Sequence, residues 1–314
     1  MHPIELLEIP RKSALDEKLL ATLADDMALK SPSNSRELAE YISEKYRIDL
    51  SAKYASIELP HPFGKAAGQL SMHQSHVKSD NENALAFTVL KSAVGVTGSG
   101  EIGIDDWKKS APKMVVHERL SRDGRMGWTV TWKGRGWDKE FDKYIDFYRN
   151  SLELNPGYPV IPSLMVDVTD RKRAIEQASY CIGKLAEVHD SSSTGHEFLI
   201  EIDISPTLAL LPGSDDDDTF REWVKTSVAA FREGLKNRGR SIVKLPNADR
   251  GSGFQLKLAS DALSEGGDSV AAMIVGNRLF DRDSSFEGQR GIAFGGYDLS
   301  NANLESLDAM IDYG

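Results

Sequence analysis

The sequence is poor in the features that announce many functions. It holds one cysteine, Cys181, in 314 residues. A lone thiol excludes an internal disulfide and a cysteine-rich zinc site, and it fits a reducing, cytoplasmic compartment. No apolar run reaches the roughly 18 residues that a spanning helix needs, so integral membrane insertion is not expected. Basic residues are in deficit: 38 Lys and Arg against 48 Asp and Glu give a formal net charge of -10. Phosphate backbones need clustered cations, so nucleic acid is not an expected partner. The opening MHPIELLEIPRK carries acid within its apolar stretch, unlike a secretory signal. There is no P-loop signature, no HExxH and no GxSxG. Gly95 to Gly103 lacks the GxGxxG spacing of a dinucleotide site. His73 and His76 have no third ligand nearby in sequence, and no metal site is expected.

What is present is an alternation. Residues 1–52 form a helical lead-in. Ser13 is placed to cap a helix on Leu15, Leu19, Leu20, Leu23 and Met27. Pro32 separates it from a second helix, capped by Ser35, on Leu38, Tyr41, Ile42 and Tyr46. From residue 53 to 314, short apolar runs read as buried strands: 85–90, 160–166, 198–204, 241–245 and 270–275. Helical stripes lie between and after them. They are Phe141 to Leu152, Ile175 to Leu185, Phe220 to Leu235 opened by Thr219, Phe254 to Ala262, and Leu304 to Ile311. This order means βαβ units and a parallel α/β sheet. Periodicity does not choose between a barrel and an open doubly wound sheet.

Residues 92–138 interrupt the alternation and hold four of the five tryptophans. Met114 to Glu118 and Trp128 to Trp132 alternate as a small hairpin, with Ser121 to Gly124 as its turn. The run Asp215 to Asp218 precedes a helix, where carboxylates complement the dipole.

Polar groups at strand ends are the candidates for chemistry, because ligands of parallel α/β folds bind there. Lys91 ends an apolar strand and Lys244 sits inside another. A lysine in a buried strand is costly unless it is paired, solvated at a rim, or aimed at an anionic ligand or a flavin ring. Asp203-Ile204-Ser205-Pro206 ends a further strand. Ser205 reads either as a proton-transfer group or as a turn residue. Gly295-Gly296 reads as a close backbone approach or as a flexible loop.

Taken in order, these residues resemble the dihydroorotate dehydrogenase family of FMN-dependent (β/α)8 barrels. Pro62-Phe63-Gly64-Lys65-Ala66-Ala67-Gly68 is similar to the first-strand motif whose backbone lies beside the flavin. Leu90-Lys91-Ser92 resembles the second-strand Thr-Lys-Ser/Thr motif. Arg125-Met126-Gly127 is similar to the family's Asn-Arg/Ser-Met-Gly loop. Glu201 to Pro206 resembles the fourth-strand motif with one residue fewer, which puts Ser205 at the place of the catalytic base. Ile242-Val243-Lys244-Leu245 matches the fifth-strand lysine, and Gly276-Asn277 and Gly295-Gly296 match the loops after strand six.

The resemblance implies FMN held by Ala66, Ala67, Gly68, Lys91, Ser92, Lys244, Gly276, Asn277, Gly295 and Gly296. It implies a substrate held by Arg125, Met126, Gly127, Asp203 and Thr207, with Ser205 and Lys91 catalytic. The implied reaction, part of pyrimidine biosynthesis in the family, moves a hydride from a CH–CH substrate to the flavin. Where the family grips orotate with asparagine amides, this chain has Gly124, Asp203, Thr207 and Met273. Loss of amide donors and acceptors changes recognition. The alternative reading is therefore a catalytically silent relative that binds or scaffolds. Residues 53–314 supply about six βα units of the barrel's eight, so the fold expected is a TIM-type barrel short of its last strands. Partners expected are a small-molecule substrate and a second copy of the chain. In the family an N-terminal helical extension goes with quinone use, and the acids of residues 1–52 leave the electron acceptor unassigned.

Overall fold

A computed structural model describes residues 21–22, 25–26, 35–103, 113–155 and 157–313. The helix expected on Leu15 to Met27 lies largely outside them, as do Pro32 and Trp107. The second lead-in helix is present as α1 (Ser35–Tyr46). Its Tyr41, Lys45 and Tyr46 gather around the Asp26 carboxylate.

The protein is α/β. Five parallel strands lie in chain order: β4 (Ala93–Val94), β8 (Ser163–Met165), β9 (Leu199–Asp203), β10 (Arg240–Lys244) and β11 (Val270–Ile274). β3 (Thr88–Val89) pairs in parallel with β7 (Val160–Ile161), just ahead of β4 and β8. Lys65 adds a parallel bridge to Thr88 on the other side. The run expected at 160–166 is split because Pro162 offers no N–H to a ladder, while its carbonyl still accepts from Glu201 N at 2.9 Å. The run expected at 85–90 is shorter for a related reason. Leu85 N donates to the Asp80 carbonyl in a turn and Ala86 N to the Phe63 carbonyl beside the Lys65 bridge, so neither amide pairs with β7.

The helices follow the same progression. α2 (Gln74–Glu82) packs on α3 (Phe141–Leu154), then α4 (Arg171–Asp190), α5 (Asp217–Leu235), α6 (Ser252–Gly266) and α7 (Tyr297–Tyr313), each against the next. A doubly wound sheet reverses its strand order at a switch point, and no reversal occurs among the described strands. Thr219 does not open α5. Asp216 does, its carboxylate accepting the Thr219 amide at 2.8 Å. Asp215 and Asp217 of the same run pair with Arg282 and Arg250. α5 buries Phe220, Trp223, Val224, Val228, Phe231 and Leu235, each contributing about 1.5–3 kcal/mol relative to exposure.

The sheet has two different faces. One packs on the helices through Leu164, Ile200, Ile202, Val243 and Leu245. The other carries an apolar layer of Val89, Ile161, Leu199 and Ile242. A small hairpin covers that layer: β1 (Ala52–Tyr54) and β2 (Ile57–Leu59), with Tyr54 stacked on Phe87 at 4.4 Å. Strand alternation then places Lys91, Ser163, Glu201, Asp203 and Lys244 on this same face, one and two steps further along.

Two hairpins stand over the carboxyl ends of the strands. β5 (Lys113–Leu120) and β6 (Met126–Lys133) form the expected one, with Leu120 opposite Met126. The second was not expected: β12 (Leu279–Phe286) and β13 (Gln289–Phe294), joined by Glu287 and Gly288, both at positive φ. β13 packs on β6. No helix among the described residues is long and apolar enough to cross a membrane.

Candidate functional site

The carboxyl ends of the parallel strands converge on one small cavity, with about 60 Å³ of free space. Ala67 and Gly68 form one wall, just past the Lys65 bridge. Lys91, Asp203 and Lys244 come from three strand ends, Ser205 and Thr207 from the turn after β9, and Asn277 from the loop after β11. Arg135, Arg278, Phe280, Gln289 and Ala293 close it from the hairpin side. Four cationic side chains therefore face one lining carboxylate, in a chain whose net charge is -10.

Each polar group has a local cause. Lys91 is 8% exposed, and its ammonium makes no hydrogen bond or ion pair among the described residues. Burial pushes its pKa below the ordinary lysine value against the pull of Asp203. Lys244 is 7% exposed. Burial opposes its charge, but Glu201 and Asp203 outweigh it and hold its pKa up. Register sets these neighbours: Lys244 lies opposite Asp203, and Glu201 lies between Ser163 and Ile242. The Lys244 ammonium is 3.8 Å from Glu201 Oε1, longer than a hydrogen bond.

Glu201 is fully buried, and burial raises its pKa. Its Oε1 lies 2.7 Å from Ser163 Oγ, while Oε2 has no partner among the described residues. Asp203 accepts from Ser92 Oγ at 2.5 Å and from Asn277 Nδ2 at 3.0 Å. Arg278 donates to the Val130 carbonyl at 2.8 Å, and burial brings its pKa down to about 10.

Ser205 begins a 3-10 turn (Pro206–Leu210) as its N-cap. Its oxygen accepts from Thr207 N at 3.3 Å and lies 2.8 Å from Thr207 Oγ1. The turn role and the cavity position coincide in this residue.

The other sequence candidates lie elsewhere. Ala66 is exposed beside the cavity, and Ser92 is buried behind Asp203. Gly276 has φ +96°, and a Cβ there would meet Asn303 Oδ1 at 2.6 Å. It belongs to a clasp in which Asn247 donates to Asn303 at 2.8 Å. Gly295 N donates to Thr129 Oγ1 at 2.9 Å, and Gly296 lies over the Trp128 carbonyl, both behind the hairpins. Arg125, Met126 and Gly127 are not brought to the cavity. They sit at the far end of the first hairpin, with Arg125 over the Tyr297 ring at 4.3 Å, Gly127 against that ring and Met126 59% exposed.

Sequence reading missed Glu201, Ser163, Arg135, Arg278 and the second hairpin's contribution. Glu201 carried the same signal as Lys244, an ionisable residue inside an apolar strand. The second hairpin's turn is Glu-Gly, a weaker signature than Asn-Gly.

A larger cleft of about 360 Å³ adjoins the cavity across Pro206 and Phe280. Its Arg122, Arg250 and Arg282 are each paired with an aspartate, so little of their charge is left for a ligand. No family model matches the chain, and no curated protein matches it.

Proposed function

We propose that this chain is a flavin-dependent oxidoreductase of the dihydroorotate dehydrogenase kind, built on a TIM-type barrel. The barrel reading is supported by strands and helices that each neighbour the next in chain order. One observation carries the functional reading. Lys91 is 8% exposed and lines a cavity together with Lys244, and its ammonium reaches that cavity without a hydrogen-bonding or ion-pairing partner among the described residues. An unpaired buried cation costs stability unless a ligand uses it.

The charges of the lining would suit a flavin, while the volume enclosed now does not hold one. Lys91 and Lys244 would hold such a group by positive charge, which favours its reduced form, and Ala67 and Gly68 would give it a small-residue wall. A bound flavin would supply the acceptor for a hydride. Around it, Asn277 and Ser92 fix the Asp203 carboxylate by hydrogen bonds. Ser205 takes a proton only if its own leaves, and its hydroxyl neighbour for that is Thr207. Asp203 at the cavity replaces an amide with a carboxylate, so the substrate proposed is a small cyclic CH–CH donor that offers N–H groups there.

A second reading rests on the roof. Phe280, Gln289 and Ala293 leave room for a few waters, not a ring system. A flavin enters only with the second hairpin displaced. If the hairpin stays, the protein is a silent relative. Titrating FMN with the purified chain and following the visible spectrum decides between them. A perturbed flavin band that weakens in Lys91→Ala supports the enzyme; an unchanged spectrum supports the silent relative.

A further inference from the structure

Three oxygen–oxygen contacts join two carboxyl groups through two serines. Glu201 Oε1 is 2.7 Å from Ser163 Oγ, Ser163 Oγ is 2.9 Å from Ser92 Oγ, and Ser92 Oγ is 2.5 Å from Asp203 Oδ2. Each contact is at hydrogen-bond length and needs one hydrogen between its oxygens. A serine hydroxyl carries one hydrogen, and an ionised carboxylate carries none. Two serines supply two hydrogens for three contacts. With both carboxylates ionised, the serines would point outward and leave two bare oxygens facing each other at 2.9 Å.

We infer that Glu201 and Asp203 share one proton, which rests on Glu201 and reaches Asp203 at the cavity through Ser163 and Ser92. At rest, Glu201 Oε1–H donates to Ser163, Ser163 to Ser92, and Ser92 to Asp203. In transfer each oxygen passes its hydrogen one place along. Glu201 ends as a carboxylate and Asp203 as a neutral acid, with no proton gained or lost. The resting place follows from burial. Glu201 is fully buried and its Oε2 is without a partner among the described residues, which costs less for a carbonyl oxygen than for half of a carboxylate. Asp203 holds an amide donor from Asn277 as well as the Ser92 hydroxyl, so its ionised form is the better solvated one.

Lys244 and Lys91 act on both carboxyls, and Tyr54 and Tyr144 lie near Glu201 from the covering hairpin and from α3. Tyr144 has its hydroxyl hydrogen on the Ser163 carbonyl at 3.1 Å and does not enter the chain. Glu201 does not line this cavity and is a positioning residue and proton store. Asp203 is the group that would present acid or base to a ligand.

The test needs neither flavin nor substrate, so its failure and that of the cofactor reading are separable. Infrared spectra of the full chain at neutral pH should show the C=O stretch of a neutral carboxylic acid. That band should vanish in Glu201→Gln, whose amide can still donate to Ser163, and persist in Asp203→Asn. On transfer to deuterated buffer, the band's shift should slow several-fold in both Ser92→Ala and Ser163→Ala, because the wire is the proton's route to the cavity. A wild-type spectrum without a neutral carboxyl, a band that survives Glu201→Gln, or deuteration rates unchanged by both serine substitutions would overturn the inference.

Discussion

Replacing Lys91 by methionine should make the ligand-free protein more stable. The two side chains are similar in length and volume, so packing changes by less than about 1 kcal/mol. What is removed is the ammonium of a residue that is 8% exposed, facing the cavity with no hydrogen-bonding or ion-pairing partner among the described residues. Uncompensated buried charge costs several kcal/mol, and cavity water and the nearby Asp203 offset part of it. The expected gain is therefore about 1–3 kcal/mol. With a urea m-value of about 3 kcal/mol per molar, the midpoint should rise by roughly 0.3–1 M. The gain has a pH signature. Lys91 has a folded pKa below its unfolded value. Between the two the unfolded chain binds more protons, so wild-type stability rises with pH there. The advantage of Lys91→Met should shrink as pH climbs toward 10.5, the ordinary lysine value. Urea titrations at neutral and alkaline pH measure both effects. A Lys91→Met protein less stable than wild type by 1 kcal/mol or more would mean that a structural partner uses the charge, and the ligand argument would fail.

Other perturbations probe the scaffold that holds the site. Asp170 caps α4 by accepting from Lys172 N at 2.9 Å and Arg173 N at 3.2 Å, so Asp170→Ala should cost about 1 kcal/mol and lower the melting temperature. At Gly234 a Cβ would lie 2.9 Å from Ile182 and 3.0 Å from the Ala178 backbone. Gly234→Val should therefore push α5 off α4 and lose about 1–3 kcal/mol or more in denaturant unfolding. Cys181 is buried, and burial pushes its thiol up to about 12. A thiol reagent at pH 8 should leave the native protein unlabelled and label it fully in denaturant; fast native labelling would contradict the packing between α4 and the Val96 carbonyl.

The parallel strands and their helices were legible because their signals are local. Ile200, Ile202 and Ile242 sit in short apolar runs, and Trp223 and Phe231 recur at helical spacing. Lys91 and Lys244 were legible because a charged residue breaks such a run. The placement of Arg125 to Gly127 was not, since it depends on how far an eight-residue ladder carries the turn from the sheet. The glycines were the least legible. Gly276 has its freedom for the Asn247–Asn303 clasp, while Gly295 only lends its N–H to Thr129, and no sequence rule separates those uses from a phosphate loop. The proton count on Ser92 and Ser163 depends on distances between four residues from three chain segments, so no single segment could announce it.

The covering hairpin of Tyr54, Ile57 and Leu59 makes the charged layer a blind well. Its floor is apolar and sealed by the Tyr54–Phe87 stack, so field lines from the lysines leave chiefly through the mouth. An anion arriving there meets the charge and the hairpin roof at the same place. Changes in the two roof hairpins can therefore alter which molecules enter without disturbing the ionisable set on the sheet. Conversely, a polar substitution in the floor, at Ile57 for instance, would open a second exit and weaken the attraction felt at the mouth while leaving every cavity-lining residue in place.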